Sequence, residues 1–363
     1  MMDRDRDWVA LHLAGGVGNR KKRELLEKAG GPGEIFRMTE AEVCRAVSCS
    51  ADAAKSLLAA PENVADRVVQ EAKRCGARIL RWTDGDYPSL LKETYDPPLI
   101  LFLRGEGSDL ARPSVAIVGA RRADRGAAAW TEEVAAVCAR SGFAVVSGLA
   151  AGIDGAAHKG ALAAGGRTVA VMGTGPDRIY PKEHEALAGQ IEAHGALVTE
   201  FPPGTAPKAA HFPQRNRIIA GLAQAVVVIQ ASERSGATIT ARFALEANRD
   251  LFVLAGPPWD RRFAGNRRLA REGAAVVQDG EEIVLRMGGV PALIEDAPDP
   301  IVALQGGRRD LAALLLEGPR TVDQLCRDLP FSPQEVFSLL TTLELEGVIR
   351  EQPGKVYTLV GAP

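Results

Sequence analysis

The chain has 363 residues, enough for two to three domains at roughly 100–200 residues each. Its formal charge of −2, with 46% hydrophobic and 25% charged residues, excludes an extensively disordered chain and gives no overall basic excess. No apolar run approaches the roughly 18 residues that cross a membrane, and the mixed-charge N-terminus lacks the apolar stretch of a secretory signal. Five scattered cysteines without a C-x-x-C pair suit free thiols and exclude a zinc framework. We therefore expect a cytoplasmic protein with no membrane partner.

Residues 1–80 are predicted to form a helical domain, with helices around Glu40–Val47, Ala51–Leu58 and Pro61–Cys75. A glycine turn, Gly15–Gly18, precedes a basic amphipathic helix that begins at Asn19. In a helix–hairpin–helix motif such a turn presents backbone N–H groups to a DNA phosphate. A solvated basic helix in a small bundle has the same pattern. We favour the bundle because a single turn of this kind is a weak signal.

The predicted core spans residues 81–288. Its character changes over residues 112–288, because short β-branched runs recur there with starts 24 to 30 residues apart and helical patterns between them. This rhythm predicts a doubly wound, mainly parallel α/β sheet. The runs are apolar throughout, as expected for strands that are covered on both faces. Glycine-rich clusters follow the strands, at the edge where such sheets bind ligands. The predicted strands are Ser114–Val118, Ala144–Val146, Thr168–Met172, Ala196–Thr199, Ala225–Ile229, Asp250–Leu254 and Ala275–Val277.

A Pro- and Gly-containing linker is predicted over residues 289–305, and a winged helix over 306–363. Capping boxes at Thr321 and Ser332 open its second and third helices, and a hairpin follows. The third helix, Ser332–Glu346, has three Glu and neither Lys nor Arg. Because duplex phosphates would repel such a helix, we expect a protein-contact or autoregulatory role for this domain.

Familiar catalytic templates are missing from the sequence. There is no G-x-x-x-x-G-K-[ST] loop, no G-x-S-x-G elbow and no H-E-x-x-H pair, and the glycines at 173 and 175 lack the third glycine of a dinucleotide fingerprint. Asp154 and His158 could share one helix face, but two ligands are poor support for a metal site, and a structural role is favoured. We expect no enzyme activity, no cofactor and no metal.

The charge distribution is more informative than the total. From Thr205 to Arg271 eleven basic residues face four acidic ones, a segment charge of +7, and residues 272–305 carry −6. A basic segment with helix starts at the ligand edge is what a polyanion site requires.

Within that segment, Phe212 is predicted to lie in a loop before a helix, with Lys208 and Arg215 close by. One base could stack on this ring while cations hold the neighbouring phosphates. Alternatively, Phe212 packs against the sheet and Arg217 packs internally, and the residues alone leave both open. The turn from Gly119 to Arg122 suits a phosphate, and Ser147–Gly148 and Ser235–Thr240 could supply further donors. For the turn, the other interpretation is a surface Arg pair after a strand. For Ser147–Gly148 and Ser235–Thr240 it is close strand–helix packing, with Thr238 as an N-cap.

Taken together, these motifs resemble the DNA-processing protein A (DprA/Smf) family over roughly residues 80–280. Ala120 departs from the hydroxyl residue of the family's Gly-[ST]-Arg turn, so only the backbone and Arg121 remain there. The resemblance is carried by Asp86–Pro88, Asp96–Pro98, Val115–Arg121, Ser147–His158, Tyr180-Pro181, Arg215–Leu222 and Ser235–Ala241.

The resemblance implies an extended Rossmann-like core, an N-terminal domain of sterile-alpha-motif or helix–hairpin–helix type, and a C-terminal winged helix. It implies a non-catalytic, homodimeric recombination mediator that protects incoming single-stranded DNA and loads the RecA recombinase during natural transformation. Arg121 would grip a phosphate with help from Lys208, and Phe212 would stack a base. The remaining DNA-binding residues that we expect are Arg122, Ser147, Gly148, Arg215, Asn216, Arg217, Gly236 and Thr238.

The residues leave two rival functions open. A nucleotide-processing Rossmann enzyme of the phosphoribohydrolase type shares this architecture, but its P-G-G-x-G-T loop is absent, and Ser235–Thr238 stands at the comparable place. A transcription regulator that acts through the winged helix is disfavoured by the acidic third helix.

Overall fold

The computed structural model describes residues 2–59, 62–291, 306–316, 318–345, 348–352 and 355–359. Two compact units make up the chain, Met1–Ala292 and Leu293–Pro363. Most of the predicted linker, residues 292–305, lies outside the described residues, as do Glu346 and the hairpin residues Pro353 and Gly354. In the described part of the chain, no helix is both long and apolar enough to span a bilayer.

The first unit begins with six helices. Thr39 and Glu42 form a capping box at the start of the fourth, and the Ser50 hydroxyl accepts from the backbone N–H of Ala53 at the start of the fifth. Their apolar faces share one core with Leu99, Ile100 and Phe102 from the neighbouring sheet. The predicted division at residue 80 therefore stays a prediction. The helices are α1 (Met2–Leu13), α2 (Asn19–Ala29), α3 (Pro32–Ile35), α4 (Glu40–Val47), α5 (Ala51–Leu58) and α6 (Glu62–Arg74).

A nine-stranded sheet follows, and it confirms the predicted α/β class. All seven predicted strands are present and run parallel, and the sequence analysis missed two antiparallel strands at one edge. The strand order is β1-β2-β6-β5-β4-β3-β7-β8-β9. The strands are β1 (Arg78–Arg81), β2 (Ile100–Gly105), β3 (Ser114–Val118), β4 (Ala144–Ser147), β5 (Thr168–Val171), β6 (Gly195–Thr199), β7 (Ala225–Val228), β8 (Asp250–Leu254) and β9 (Ala275–Val277).

Helices cover both faces of this sheet, because successive side chains of a strand point to opposite faces. Ala116 and Val118 pack in the core that includes α11 and α12, whereas Val115 and Ile117 pack in the core that includes α8 and α9. The helices of this region are α7 (Ser89–Lys92), α8 (Arg125–Arg140), α9 (Ile153–Ala163), α10 (Glu185–His194), α11 (His211–Leu222), α12 (Gly236–Glu246), α13 (Ala264–Arg271) and α14 (Gly280–Arg286).

The connectivity places a crevice between β3 and β7. The chain runs from β3 outwards through β4, β5 and β6, and then returns to the other side of β3 with β7, β8 and β9. The loops after β3 and β7 therefore diverge towards opposite ends of the sheet. A ligand site is expected in the crevice at the carboxyl ends of these strands.

The second unit is the predicted winged helix. Its three helices pack on a small antiparallel sheet of order β10-β12-β11 through a core of their own, and both predicted capping boxes are present. On the third helix, Val336, Leu340 and Leu343 are buried and Glu335 and Glu344 are exposed. The elements are α15 (Gly307–Leu316), β10 (Arg320–Thr321), α16 (Val322–Asp328), α17 (Pro333–Leu345), β11 (Ile349–Gln352) and β12 (Val356–Leu359).

Candidate nucleic-acid interface

The crevice at the carboxyl ends of β3 and β7 opens into a cleft of about 480 Å³. It is formed by the loop after β3, the segment before α11, the first turns of α11 and the start of α12. Six of the predicted DNA-binding residues line it, namely Arg121, Lys208, Phe212, Arg215, Asn216 and Gly236. The structure thus brings together residues that lie up to 115 positions apart in the sequence.

The centre of the cleft is a cation stacked on an aromatic ring. The Arg121 guanidinium carbon lies 4.8 Å from the centroid of the Phe212 ring. Arg121 is exposed and Phe212 is half-buried, so both side chains remain accessible to a ligand. Within such a distance the positive charge is attracted to the face of the ring. The pair therefore offers one positive group and one apolar surface side by side.

Phe212 is the second residue of α11, so its predicted position in a loop before the helix is wrong. Pro213 follows Phe212 directly. However, proline is tolerated in the first turn of a helix, where its missing N–H would lack a partner anyway. The helix fixes Phe212 more firmly than a loop would.

Tyr180 is a member of the cleft that the sequence analysis did not propose as a site residue. Its ring centroid lies 5.7 Å from that of Phe212, and the side chain is 46% exposed. The sequence signal was present, since Tyr180 follows β5 in a loop at the ligand edge. Together the two rings and Arg121 form a continuous accessible surface.

Arg215 forms the back wall of the cleft. Its side chain is buried, Nη1 donates to the Val171 carbonyl at 2.8 Å, and the guanidinium packs where a Cβ at Gly148 would stand. Burial lowers the pKa of Arg215 to about 10, so it keeps its charge at neutral pH. Arg215 therefore adds positive potential, while Gly148 acts by leaving room for it.

Asp154 lies beside Arg215 at the back wall of the cleft. Burial raises the pKa of this carboxyl, and the charges of Arg215 and Arg121 act in the opposite direction. Its predicted partner, His158, is buried on the same helix, and its Nδ1 lies 2.7 Å from the Thr168 hydroxyl. That hydroxyl donates to the Val145 carbonyl, so the imidazole N–H donates to it. Burial lowers the pKa of His158 to about 3, which keeps the ring neutral.

The start of α12 forms the opposite wall. The Ser235 hydroxyl accepts from the backbone N–H of Ala237, and the Asn216 side chain donates to the Gly236 carbonyl at 3.4 Å. Thr238 is not the N-cap, because Ser235 caps the helix and the Thr238 hydroxyl donates to the Ser235 carbonyl. Thr238 lies outside the cleft, in a second hollow with Arg242. Asn216 therefore fixes the spacing between α11 and α12.

Besides Thr238, four of the predicted binding residues do not line the cleft itself. Arg217 forms ion pairs with Glu200 and Asp96, and its side chain is only 11% exposed. Two positions along a helix turn a side chain by about 200°, so Arg215 and Arg217 face opposite ways. The buried Ser147 hydroxyl donates to the Ile117 carbonyl at 2.6 Å. Arg122 is exposed beside the cleft, and Gly148 lies behind Arg215.

The basic segment 205–271 does not face the ligand edge as a whole, which corrects the simple interpretation of its +7 charge. On α12 and α13, Arg242 pairs with Glu246, and Arg268 pairs with Glu272. Helical periodicity distributes these cations around each helix. The loops at the carboxyl ends of the strands instead carry exposed cations that form no ion pair within the described residues, namely Arg121, Arg122, Lys208, Arg234 and Arg261.

Among the described residues, no cluster of three or more His, Cys, Asp or Glu side chains is arranged to hold a metal ion. The lining combines small and aliphatic residues with cations, aromatic rings and amide or hydroxyl groups, and Asp154 is the carboxylate among them. Chemically, the site is suited to an anionic ligand that carries flat apolar groups.

Comparisons with known proteins agree with the fold and the motifs. The model of the family "DNA recombination-mediator protein A" matches residues 78–288, and the "DprA winged helix domain" matches residues 295–355. Protein Smf of Synechocystis is 34% identical over 325 residues, which are 80% of this chain and 82% of that protein.

Two solved structures are also similar. DNA processing protein A of Streptococcus pneumoniae shares 33% identity with a TM-score of 0.68, over 76% of this chain and 95% of that one. DNA processing protein A of Helicobacter pylori, whose structure describes a single-stranded DNA binding mode, shares 27% identity with a TM-score of 0.53, over 58% of this chain and 95% of that one. The match of the family model to more than half of the chain confirms the resemblance found in the sequence. The chain therefore belongs to the DNA recombination-mediator protein A family, also called DprA or Smf.

Proposed function

We propose that this recombination mediator binds single-stranded DNA in the cleft between β3 and β7 and acts without catalysing a reaction. On this proposal it works in the cytoplasm as a homodimer, protects incoming single strands and loads the RecA recombinase onto them during natural transformation. Membership of the mediator family supports the general role. The cleft supports the choice of ligand.

The observation that carries the proposal is the Arg121–Phe212 pair. A base that stacks on Phe212 places its phosphate within reach of Arg121, and Lys208 on the rim can hold the next phosphate. Base–aromatic stacking tolerates any sequence, because every base has a π-face. The Helicobacter pylori relative, which is similar over 58% of this chain, is described as binding single-stranded DNA, and this supports the same ligand here.

The cleft favours a single strand over a duplex for a geometric reason. Phe212 is half-buried in a cleft of about 480 Å³, so a base must leave its stack to reach the ring. Bases in a duplex are paired and stacked, and extruding one costs a few kcal/mol. A single strand reaches Phe212 without that cost.

The proposal of a non-catalytic role rests on the donor set. Asp154 is the carboxylate in the cleft, and it is buried at the back wall beside the charge of Arg215. Among the described residues that line the cleft, no second carboxylate accompanies it to share acid and base roles. Incubation with nucleoside monophosphates tests this directly: the free base stays below detection on the proposal, and steady release would establish a phosphoribohydrolase instead.

Fluorescence anisotropy with labelled dT20 and a duplex of equal length tests the ligand. We expect preference for dT20, and Phe212→Ala should weaken its binding by about 5- to 150-fold, the range for one lost stack. Arg286→Ala is the matched control for charge loss, because Arg286 lies at the end of α14 and pairs with Glu282. Equal affinity for duplex, or unchanged dT20 binding by both Phe212→Ala and Arg121→Ala, would reject this cleft.

A RecA assay tests the finer role. On single strands shielded by a competing binding protein, the wild type should shorten the lag before RecA-dependent ATP hydrolysis. Arg121→Ala should not shorten the lag, because it cannot hold the strand. A wild type that leaves the lag unchanged would reject loading while leaving DNA binding intact.

A further inference from the structure

A second exposed aromatic side chain lies on the same sheet edge as the cleft. Trp259 is 82% exposed, the highest value of any aromatic side chain in the described part of the chain. It lies in the loop that follows β8 and precedes α13. In the sheet order β3-β7-β8, this loop is two strand spacings from the end of β3. At about 4.8 Å per strand, that separation is about 10 Å.

The loop around Trp259 is braced from within. Arg267 Nη1 donates to the carbonyls of Pro257 and Asp260, at 2.9 and 3.0 Å. The Asp260 carboxylate accepts from the Arg262 backbone N–H at 2.8 Å and from its guanidinium. Gly256 has φ of 49°, and a Cβ there would overlap the Phe263 ring that fills the space beneath. Because the loop is fixed on both sides, its exposed indole is held outwards rather than free to fold inwards.

The loop is also tied to the loop that carries Arg121. Arg262 Nη1 lies 3.2 Å from the Asp124 carboxylate, and Asp124 accepts from the Gln230 side chain at 2.5 Å. These contacts join the segments that follow β8, β3 and β7. The surface therefore continues from the cleft to Trp259 without a gap between separate elements.

Exposed cations lie along this surface. Arg122 follows β3, Arg234 follows β7 and Arg261 follows Trp259, and none of the three forms an ion pair with a described residue. Of the acids along this path, Asp124 and Asp260 both pair with Arg262, and Glu233 beside Arg234 is exposed. The path between the two aromatic sites thus carries an excess of available positive charge.

We propose that Trp259 is a second base-stacking position, which extends the single-strand site from the Phe212 cleft across the ends of β7 and β8. The inference rests on the proposed function of the cleft. The ends of β3 and β8 are about 10 Å apart, a distance that a short stretch of single strand can span. The cations between the rings would hold the intervening phosphates, as in other single-strand sites that combine a basic groove with aromatic side chains.

Charge favours a nucleic acid over a protein as the occupant. The cores of protein interfaces are depleted in charged residues, whereas Trp259 is followed at once by Asp260, Arg261 and Arg262. An aromatic ring with arginines beside it matches the alternation of bases and phosphates in a single strand.

Competition of unlabelled oligo(dT) from dT2 to dT20 against labelled dT20 tests the proposal on the full chain. Trp259→Ala should bind dT2 as the wild type does and lose at least about fivefold in affinity for dT20, whereas Trp259→Phe should keep most of it. Leu245→Ala is the control for loss of an exposed apolar side chain, since Leu245 is 55% exposed near the far end of α12. Phe212→Ala, measured in the same series, should lose affinity at every length.

Tryptophan fluorescence supplies an independent measurement. The difference between the spectra of the wild type and Trp259→Phe isolates Trp259 from the three other tryptophans. dT20 should quench this difference signal, and dT2 should not.

Unchanged dT20 affinity in Trp259→Ala, together with loss of affinity in Phe212→Ala, would overturn the second stacking position and leave the proposed cleft site in place. Unchanged affinity in both variants would reject the cleft as well. If Trp259→Ala instead lowered only the molar mass in light scattering, Trp259 would be a protein contact and the inference would be wrong.

Discussion

Replacing Arg217 by alanine separates two roles that the sequence left open for this side chain. In the structure Arg217 pairs with Glu200, whose side chain is 3% exposed, and with Asp96 at 3.5 Å. Removing one partner of a buried ion pair leaves an uncompensated charge and costs about 3–5 kcal/mol. Burial already raises the pKa of Glu200 and the charge of Arg217 opposes this rise, so the pKa increases further in the variant. Proton uptake by Glu200 limits the cost to about 3 kcal/mol.

Thermal unfolding followed by tryptophan fluorescence measures this loss. All four tryptophans lie in the unit Met1–Ala292, so the signal reports that unit alone. At 2–4 °C per kcal/mol for a large domain, the Tm should fall by about 6–12 °C. Single-strand affinity of the folded variant at 20 °C should change little, because Arg217 does not line the cleft.

The Tm difference between Arg217→Ala and the wild type should depend on pH, and the pKa of Glu200 gives the direction of that dependence. The folded pKa of Glu200 in the variant is raised above its unfolded value of about 4.3. The contribution of protonated Glu200 to the stability of the folded variant is therefore complete below the unfolded pKa. It is lost as the pH rises through the folded pKa. The Tm deficit of Arg217→Ala should grow from pH 5 to pH 8. The double variant Arg217→Ala/Glu200→Gln should remove this growth.

A different pattern would refute the packing argument. If Arg217→Ala kept the wild-type Tm at pH 8 and lost single-strand affinity as strongly as Arg121→Ala, then Arg217 would contact DNA. The internal ion pairs would then not be the main role of this residue.

Three further outcomes follow from the structure. Arg121→Ala should lower single-strand affinity and make the slope of log K against log salt shallower by about 0.7, since one phosphate contact is lost; an unchanged slope would contradict the assigned contact. Gly148→Ala should displace the Arg215 guanidinium from the Val171 carbonyl and lower the free energy of unfolding by about 1–3 kcal/mol, as measured by tryptophan fluorescence during thermal unfolding. Gly189→Ala, at an open helix position, should not destabilise the protein. The isolated C-terminal unit, which has its own core, should not bind duplex DNA in gel shifts at 150 mM salt, because α17 presents Glu335 and Glu344. A tight complex would show that the acidic charge of α17 does not prevent this unit from binding duplex DNA.

The positions of the parallel strands could be predicted from the sequence because the signal is local. The strands β3 to β7 are buried along their whole length, so each forms an apolar run that stands out without knowledge of its neighbours, and β8 and β9 are short apolar runs that are partly exposed. This local signal is not sufficient, because β2 also has buried apolar residues at 100–103 and was not predicted. The strand β1 lacks the signal, because two of its four residues, Arg78 and Arg81, are charged. Its pairing with β2 and the packing of the N-terminal helices make it a strand.

The fold class, the family and the group of residues around the binding edge follow from the sequence alone, since strand ends and glycine turns are encoded in short segments. Which of those residues are accessible depends on the tertiary structure. Arg215 and Arg217 are two positions apart, yet one forms the back wall of the cleft and the other an internal ion pair, because helix α11 turns them to opposite sides. It also decided that Trp259, unremarkable in the sequence, lies on the same edge as Phe212, because the strand order places the end of β8 near the end of β3.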